Sequence, residues 1–370
     1  MHEPTLAPAP LRTSLIGTAR DTLLLALIAK RTERNLVGRA LVRLPSGRAR
    51  TFGSGHTLAQ ISFRTFGAVA ACVRRGTLGF AEAYLDGDIE VSDLGAVFRF
   101  FIDNRHVLER AGSGLFSGRA FDRRGHAARQ NTRNGSRRNI SEHYDLGNDF
   151  YALWLDSGMS YSSGLYLEPD LSLHDAQTAK YEAVCDALDL AEGDAVLEVG
   201  CGWGGFAEVA ADAGANVTAI TLSHRQLDYA ARRLANRKCG DARNRSLGAD
   251  GHSIDKAPSP GAVTFALEDY RDVGGQYDKL ASIEMIEAVG EENWPTYFKT
   301  IHDRLKPGGR AAIQVITIRE SSYDNYRAKP DFIQRFIFPG GMLPTKKHLR
   351  EIAEHAGLET TGHMVFGASY

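Results

Sequence analysis

The stretch Val196-Leu197-Glu198-Val199-Gly200-Cys201-Gly202-Trp203-Gly204-Gly205 decides the fold. A short apolar run takes in an acid, breaks into glycines and gives way to a helical pattern over 206–213. That order predicts a strand, a tight turn and a helix start. Gly200 and Gly202 leave no β-carbon between the backbone and whatever lies on the turn, and the helix behind them offers free N–H groups. A nucleotide-like cofactor fits there. The spacing Gly200, Gly202, Gly205 also suits dinucleotide enzymes and plain structural turns, so the glycines alone leave these readings open.

The rest of the chain bounds what surrounds this turn. With 370 residues, 43% hydrophobic and 24% charged, it is long enough for two domains with real cores. No apolar run reaches the length of a membrane span, and Glu3 sits where a signal peptide is basic, so an intracellular protein is expected. Cys72, Cys185, Cys201 and Cys239 form no Cys-x-x-Cys pair. This argues for reduced thiols and against a disulfide framework or a metal site. The net charge of −1 conceals a division: residues 1–138 carry 22 Lys and Arg against 11 Asp and Glu, and the remainder 22 against 34. A basic half of +11 suits a phosphate-bearing surface, anionic lipid or nucleic acid, or else complements the acidic half internally.

Three segments follow from the pattern. Residues 1–111 read as a small α+β domain, with a hairpin over 39–52 around Leu44-Pro45-Ser46-Gly47 and helices over 58–73 and 93–101. Residues 112–139 are rich in Gly, Ser, Asn and Arg, with seven arginines between Arg119 and Arg138, and read as a basic linker. Residues 140–370 alternate strands (195–199, 217–221, 279–283, 310–316) with helices, among them 294–305, stopped by Lys306-Pro307-Gly308-Gly309. Alternation of this kind predicts a mostly parallel sheet with helices on both faces. The polar stretch 237–262 reads as a surface insertion.

Several blocks in order carry a resemblance: His143-Tyr144-Asp145-Leu146-Gly147-Asn148-Asp149-Phe150-Tyr151, Met159-Ser160-Tyr161-Ser162-Ser163-Gly164, the glycine turn with Trp203, Ile220-Thr221-Leu222-Ser223 with Gln226, and Phe338-Pro339-Gly340-Gly341. With these the chain resembles the cyclopropane-fatty-acyl-phospholipid synthases and the mycolic acid cyclopropane synthases. Gly79-Phe80-Ala81-Glu82-Ala83-Tyr84-Leu85-Asp86-Gly87 is similar to the segment before the catalytic domain of longer members, whose N-terminal module is thought to engage lipid. The resemblance implies a Rossmann-like methyltransferase domain that uses S-adenosylmethionine. It also implies transfer of a one-carbon unit to the cis double bond of phospholipid acyl chains, with a cyclopropane ring formed through a carbocation.

Residue by residue, the resemblance sets Tyr161 and Ser162 near the methionine part of the cofactor, with Glu198, Gly200 and Gly202 around its amino-acid end. It sets Thr221, Leu222 and Gln226 at the ribose, and Asp269 and Tyr270 at the adenine. The residue chemistry agrees in part: Thr and Gln bond ribose hydroxyls, and Thr221 stands where a dehydrogenase has an acid at the second strand's end. For the proton-accepting cradle, which in relatives holds bicarbonate, Glu287, Ile316 and Tyr370 match the glutamate, isoleucine and tyrosine. Ser163 and Gln314 stand where many members have cysteine and histidine. Both can still hydrogen-bond an oxyanion, but Gln314 carries no titratable proton.

Alternatives stay open at several positions. Trp203 is cofactor-adjacent or core, Phe336, Phe338 and Met342 line an acyl tunnel or ordinary core, and His143 with Tyr144 orders the entrance. Some members of the Glu-Met-Ile-Glu-Ala type, as in 284–288 here, leave a methylene or methyl branch instead of a ring. The expected partner is a bilayer of unsaturated phospholipids at the inner membrane face, with the protein peripheral and no nucleic acid, since the Asn/Asp-Pro-Pro-Tyr/Phe site of amino methylation is missing. A homodimer is compatible with the sequence. The rival of another class is a non-catalytic phospholipid-binding protein. Because relatives continue past the position of Tyr370, the chain reads as a C-terminally shortened form.

Overall fold

The computed structural model describes residues 36–112, 146–235, 261–328 and 330–369, with Leu25, Ala26 and Gly135. The chain divides into two units, 1–122 and 123–370. The basic run 119–138, His143, Tyr144, Cys239 and Tyr370 lie outside the described residues, as does nearly all of 237–262.

In the first unit, β1 (Val37–Arg43) and β2 (Ala49–Phe63) form the hairpin expected around Leu44 to Gly47. β2 flanks β1 on both sides, so that Ala40 faces Phe52 and also Ala59. β3 (Ile89–Val91) pairs with the end of β2. The helix expected over 58–73 is corrected by the structure: residues 58–63 belong to β2, where buried Ala59 and Ile61 alternate with exposed Gln60. Helix α1 (Phe66–Leu85) begins only after Thr65, whose hydroxyl accepts the Ala68 N–H. Next come α2 (Leu94–Asp103), capped by Asp93, and α3 (Arg105–Gly112). Phe52, Ile61, Val69, Ile89, Val97 and Phe100 make the core.

One buried polar group ties this unit together. Asn104 Oδ1 accepts the Val37 N–H at 2.7 Å, and its Nδ2 donates to Val37 O and Phe100 O, both at 2.8 Å. The start of β1 is thereby tied by the buried Asn104 side chain to the end of α2.

The second unit opens with α4 (Asn148–Tyr151) and α5 (Leu173–Leu188). It continues through β4 (Ala195–Val199), α6 (Gly205–Asp212), β5 (Asn216–Thr221), α7 (His224–Ala235), β6 (Val263–Leu267) and β7 (Tyr277–Ile283). After α8 (Trp294–Arg304) come β8 (Leu305–Gln314), α9 (Glu320–Ala328) and α10 (Lys346–His355). The sheet order is β6-β5-β4-β7-β8, and the described pairs are parallel. Successive residues feed opposite faces: Val196, Val217 and Ala281 pack with Tyr181, Phe206 and Ala207, whereas Leu197, Ile220 and Leu280 pack with Trp294, Tyr297 and Phe298.

Strand β8 starts earlier than the sequence suggests. Tyr277 pairs with Leu305 and Lys279 with Arg310, so Lys306-Pro307-Gly308-Gly309 bulges opposite the single residue Asp278. Lys306 Nζ holds Asp278 at 2.8 Å across that bulge. No helix among the described residues is long and apolar enough to cross a membrane.

Chain direction fixes where a ligand goes. From β4 the chain steps outward to β5 and β6, then crosses back to β7 on the other edge of β4, and a crevice opens at the carboxyl ends of β4 and β7. For the first unit we expect Asn104→Ala, which removes three hydrogen bonds of a buried side chain, to lower unfolding free energy by about 1 to 3 kcal/mol. Chemical denaturation measures this, and a loss under about 0.5 kcal/mol would contradict the assigned role of Asn104.

Candidate functional site

A cavity of about 510 Å³ lies at those strand ends. Each strand delivers a polar residue there or immediately beyond: Glu198 from β4, Thr221 from β5, Asp269 after β6, Glu284 after β7, and Gln314 and Ile316 from β8 and its exit. The ten residues expected at the cofactor, Tyr161, Ser162, Glu198, Gly200, Gly202, Thr221, Leu222, Gln226, Asp269 and Tyr270, all line it. Glu287, Ser163 and Ile316 line it too, whereas Gln314 sits behind the wall.

The glycine turn has the geometry its sequence requires. Gly200 has φ +83°, and a β-carbon there would sit 2.9 Å from Met285 Cγ. Gly202 has φ +52°, and its β-carbon position is open space. The first glycine is set by packing and backbone, the second by backbone alone, with room above it.

Under the turn lie two buried titratable groups, Lys180 and Glu198. Lys180 of α5 is almost wholly buried; its Nζ donates to Ser162 Oγ at 2.6 Å and stands 3.8 Å from the Tyr181 ring centre. Burial pushes Lys180 down, opposed by the charges of Glu284, Asp156 and Glu198. Glu198 moves up for the same reason, opposed by Lys180 and the Ala207 N–H. Gln177 Nε2 donates to Ser162 O at 2.6 Å, so α5 fixes the 160s loop through two polar side chains.

The residues expected at the cofactor carry unused hydrogen-bonding capacity. Thr221 Oγ1 donates to Gln226 Oε1 at 2.9 Å, leaving Gln226 Nε2 buried without a partner among the described residues. Glu198 Oε2 and the Tyr270 hydroxyl are likewise buried and unpartnered. Native interiors seldom leave such atoms idle, so this wall fits a polar ligand. Asp269 is held by Arg271, with Nε to Oδ1 at 2.8 Å and Nη2 to Oδ2 at 2.7 Å.

The expected cradle is wired differently from its sequence reading. Glu284 Oε1 accepts the Ser163 N–H at 3.0 Å and Gln314 Nε2 at 2.8 Å, while Ser163 Oγ turns away to Gly164 O. Glu287 Oε1 accepts the Ile316 N–H at 2.6 Å, and its Oε2 is buried without a partner. Burial raises Glu287 to about 8; the Ile316 and Glu287 N–H groups oppose this, and Glu284 adds to it. Donors expected to hold bicarbonate are therefore spent on the chain's own carboxylates, and the described residues do not fit that ion.

Aromatic rings close the apolar side. Tyr161 lies 5.4 Å from Trp154 and 5.5 Å from Tyr151 and stacks on Phe338, and Tyr151 lies 5.1 Å from Trp203. Trp203 is both core and lining, its Nε1 donating to Asn148 Oδ1 at 2.8 Å. Of the three tunnel candidates only Phe338 lines the cavity; Phe336 pairs with Phe332 at the surface and Met342 packs in the core.

Sequence reasoning missed Lys180, Gln177 and Glu284. The signal for the first two was present, because they share the buried face of α5 with Ala176, Tyr181 and Leu188, where apolar residues are the norm. Glu284 follows an apolar strand as Glu198 ends one, at the neighbouring strand end.

The family model described as mycolic acid cyclopropane synthetase matches residues 131–249 and 245–370. The chain is 34% identical over 301 residues to the tuberculostearic acid methyltransferase UfaA1 of Mycobacterium tuberculosis, covering 77% of this chain and 64% of that protein. It is 31% identical over 309 residues to the cyclopropane-fatty-acyl-phospholipid synthase of Escherichia coli, covering 80% of this chain and 70% of that protein. The chain thus spans about two thirds of the length of these relatives. A crystal structure of the mycolic acid cyclopropane synthase CmaA1 complexed with SAH and CTAB matches with a TM-score of 0.52 and 28% identity, over 61% of this chain and 76% of that one. The α/β methyltransferase fold expected from the sequence is the fold observed.

The state of Glu287 is open to measurement. A carboxyl raised on folding contributes stability that is fully present below about 4.5 and is lost as pH rises through about 8. Glu287→Gln keeps an acceptor for Ile316 and does not titrate. The unfolding free energy of the variant should therefore gain on wild type by up to about 1.4 kcal/mol per pH unit across that window and level off above it. Denaturant titrations across the window measure the difference, and a pH-independent one would place the Glu287 side chain in water.

Proposed function

Because this chain belongs to the mycolic acid cyclopropane synthetase family, we propose that it transfers a one-carbon unit from S-adenosylmethionine to the cis double bond of unsaturated acyl chains of phospholipids. The observation that carries this reading is the single cavity in which the glycine turn, the Thr221–Gln226 pair and the Glu284 and Glu287 carboxyls meet an aromatic wall. Such a wall suits a lipid chain, and the polar side suits the cofactor.

Gly200 and Gly202 support the cofactor's amino-acid end above Glu198, with Tyr161 and Ser162 beside it. Gln226 Nε2 and Thr221 serve the ribose hydroxyls, Leu222 lies beside them, and Tyr270 with Asp269 serves the adenine. When bound, S-adenosylmethionine supplies an electrophilic methyl group to the alkene. An alkene is a weak nucleophile, so the chain must hold it in line and keep water out. Tyr161 and Trp154 bring aromatic rings to the cavity, where positive charge develops on the acyl chain.

A second reading has the same methyl transfer ending in a methylene or methyl branch. It is favoured by the occupied bicarbonate donors, and a relative at 34% identity bears the name methyltransferase.

We extend the proposal to residues 1–111 as a lipid-engaging domain, joined by the basic linker 112–139 to the catalytic domain 140–370. Residues 1–138 are basic by 11 charges, and α2 exposes Phe98 (55%) and Ile102 (71%) one turn apart. Apolar side chains on a basic body suit the anionic inner face of a membrane.

Protein, S-adenosylmethionine and liposomes of defined unsaturated phospholipid, followed by mass spectrometry and NMR of the acyl chains, test the reaction. Ring protons report a cyclopropane and vinyl protons a methylene branch; no added carbon would overturn the proposal. Binding to anionic vesicles should fall as salt rises, and equal sedimentation with neutral vesicles at low salt would remove the electrostatic contribution. Gly202→Ala puts a methyl group into the space above the turn at φ +52°, and calorimetry should read a cofactor affinity at least about 10-fold weaker. Unchanged affinity in the folded variant would move the cofactor elsewhere.

A further inference from the structure

We propose that Glu284 is the residue that removes the proton ending the reaction, a carboxylate built into the chain where the resemblance implies a bound bicarbonate. The inference rests on the proposed one-carbon transfer and names its base.

Glu284 stands just past the carboxyl end of β7, at the crossover edge beside β4, and lines the cavity. Its φ is +49°, a left-handed conformation that side chains other than glycine seldom adopt. Two donors from separate elements hold the carboxylate there: the Ser163 N–H at 3.0 Å and Gln314 Nε2 at 2.8 Å, both on Oε1. The Glu284 N–H also donates to Gln314 O at 2.9 Å, so β8 grips both backbone and side chain. A carboxylate that receives two N–H donors on one oxygen is oriented as an acceptor.

The other candidates are otherwise engaged. Glu287 is raised to about 8 by burial, so near neutrality it holds its proton and accepts none. Gln314 has no proton to exchange, and the Ser163 hydroxyl donates to Gly164 O. Lys180 Nζ donates to Ser162 Oγ and supplies positive charge whose interaction with Glu284 is attractive.

The step balances without another reagent. The alkene π pair forms the new C–C bond to the methyl carbon, the S–CH3 pair stays on sulfur, and a carbocation is left on the neighbouring acyl carbon. Glu284 then takes a proton from the new methyl group, and that C–H pair closes the three-membered ring. Where a hydride first shifts to the cation, loss of a proton to the same carboxylate gives the methylene branch. The proton leaves Glu284 to solvent when product departs.

Two variants and a binding measurement test this. Glu284→Gln should lower turnover on unsaturated phospholipid by about 100-fold or more, with cofactor affinity by calorimetry within about 2-fold of wild type. Glu284→Gly suits φ +49° and frees the Ser163 and Gln314 donors; it should lose turnover and regain about 10-fold or more of it with added bicarbonate or formate. Wild-type turnover should be the same in carbon-dioxide-free buffer. Independently of turnover, the 13C resonance of bicarbonate should broaden with the glycine variant and not with wild type. Bicarbonate-dependent wild-type turnover, broadening by wild type, or a Glu284→Gln variant as fast as wild type would each overturn the inference. Wild type that adds no carbon to lipid would instead overturn the proposed function, and the bicarbonate titration would still decide whether Glu284 fills that place.

Discussion

Five parallel strands that end at one edge, with helices covering both faces, set where the second unit gathers the polar side chains of its site. The faces are closed by Phe206 and Ala207 on one side and Trp294, Tyr297 and Phe298 on the other. An unpaired polar atom there would cost about 1 to 3 kcal/mol. At the carboxyl ends the backbone itself turns outward, and Glu198, Thr221, Asp269, Glu284 and Gln314 gather because the strands share a direction. Reversing one strand would carry its polar end to the opposite edge, so the site depends on sheet direction before it depends on any one side chain.

Gathering charges in a dry place is costly. Burial moves both Lys180 and Glu198 toward their neutral forms, each opposed by the other's charge. Ser162 Oγ and the Tyr181 ring engage Lys180, and the Ala207 N–H engages Glu198. Glu198 Oε2 remains unpartnered among the described residues. A structure selected for stability alone would place well-packed apolar side chains there; buried polar groups with hydrogen-bonding capacity left over suit a polar ligand laid across the glycine turn.

Much of this was legible in the sequence. The apolar runs 195–199, 217–221 and 279–283 lie within the observed strands, since fully buried parallel strands read as continuous hydrophobic segments. Their order and the glycine turn locate the crevice. Residues 58–63 were harder, because a small antiparallel strand followed at once by a helix merges two periods in one window. The start of β8 was masked by Pro307 and two glycines, which read as a break and form a bulge instead. At the site, residue identities were legible and pairings were not. Ser163, Gln314 and Ile316 look free along the chain, yet each gives its N–H to a carboxylate that only the fold brings near.

Those pairings divide two glutamates three residues apart. Glu287 lies in a short helical turn, its carboxyl buried, and burial dominates over the Ile316 and Glu287 N–H groups that oppose it. Glu284 sits on the cavity wall in a left-handed conformation, its oxygen held by two donors. Two carboxyls in such different surroundings do not share one role: burial raises Glu287 to about 8, so near neutrality it keeps its proton, whereas Glu284 presents an oriented carboxyl to the cavity. The proposed reaction, with a carbocation formed beside aromatic rings, needs that asymmetry, because an acceptor at a fixed position decides which proton leaves. With Gln314 and the Ser163 N–H fixing Glu284 from two sides, the choice between ring and branch under the proposed reaction comes down to where the acyl carbon stands relative to that carboxyl group.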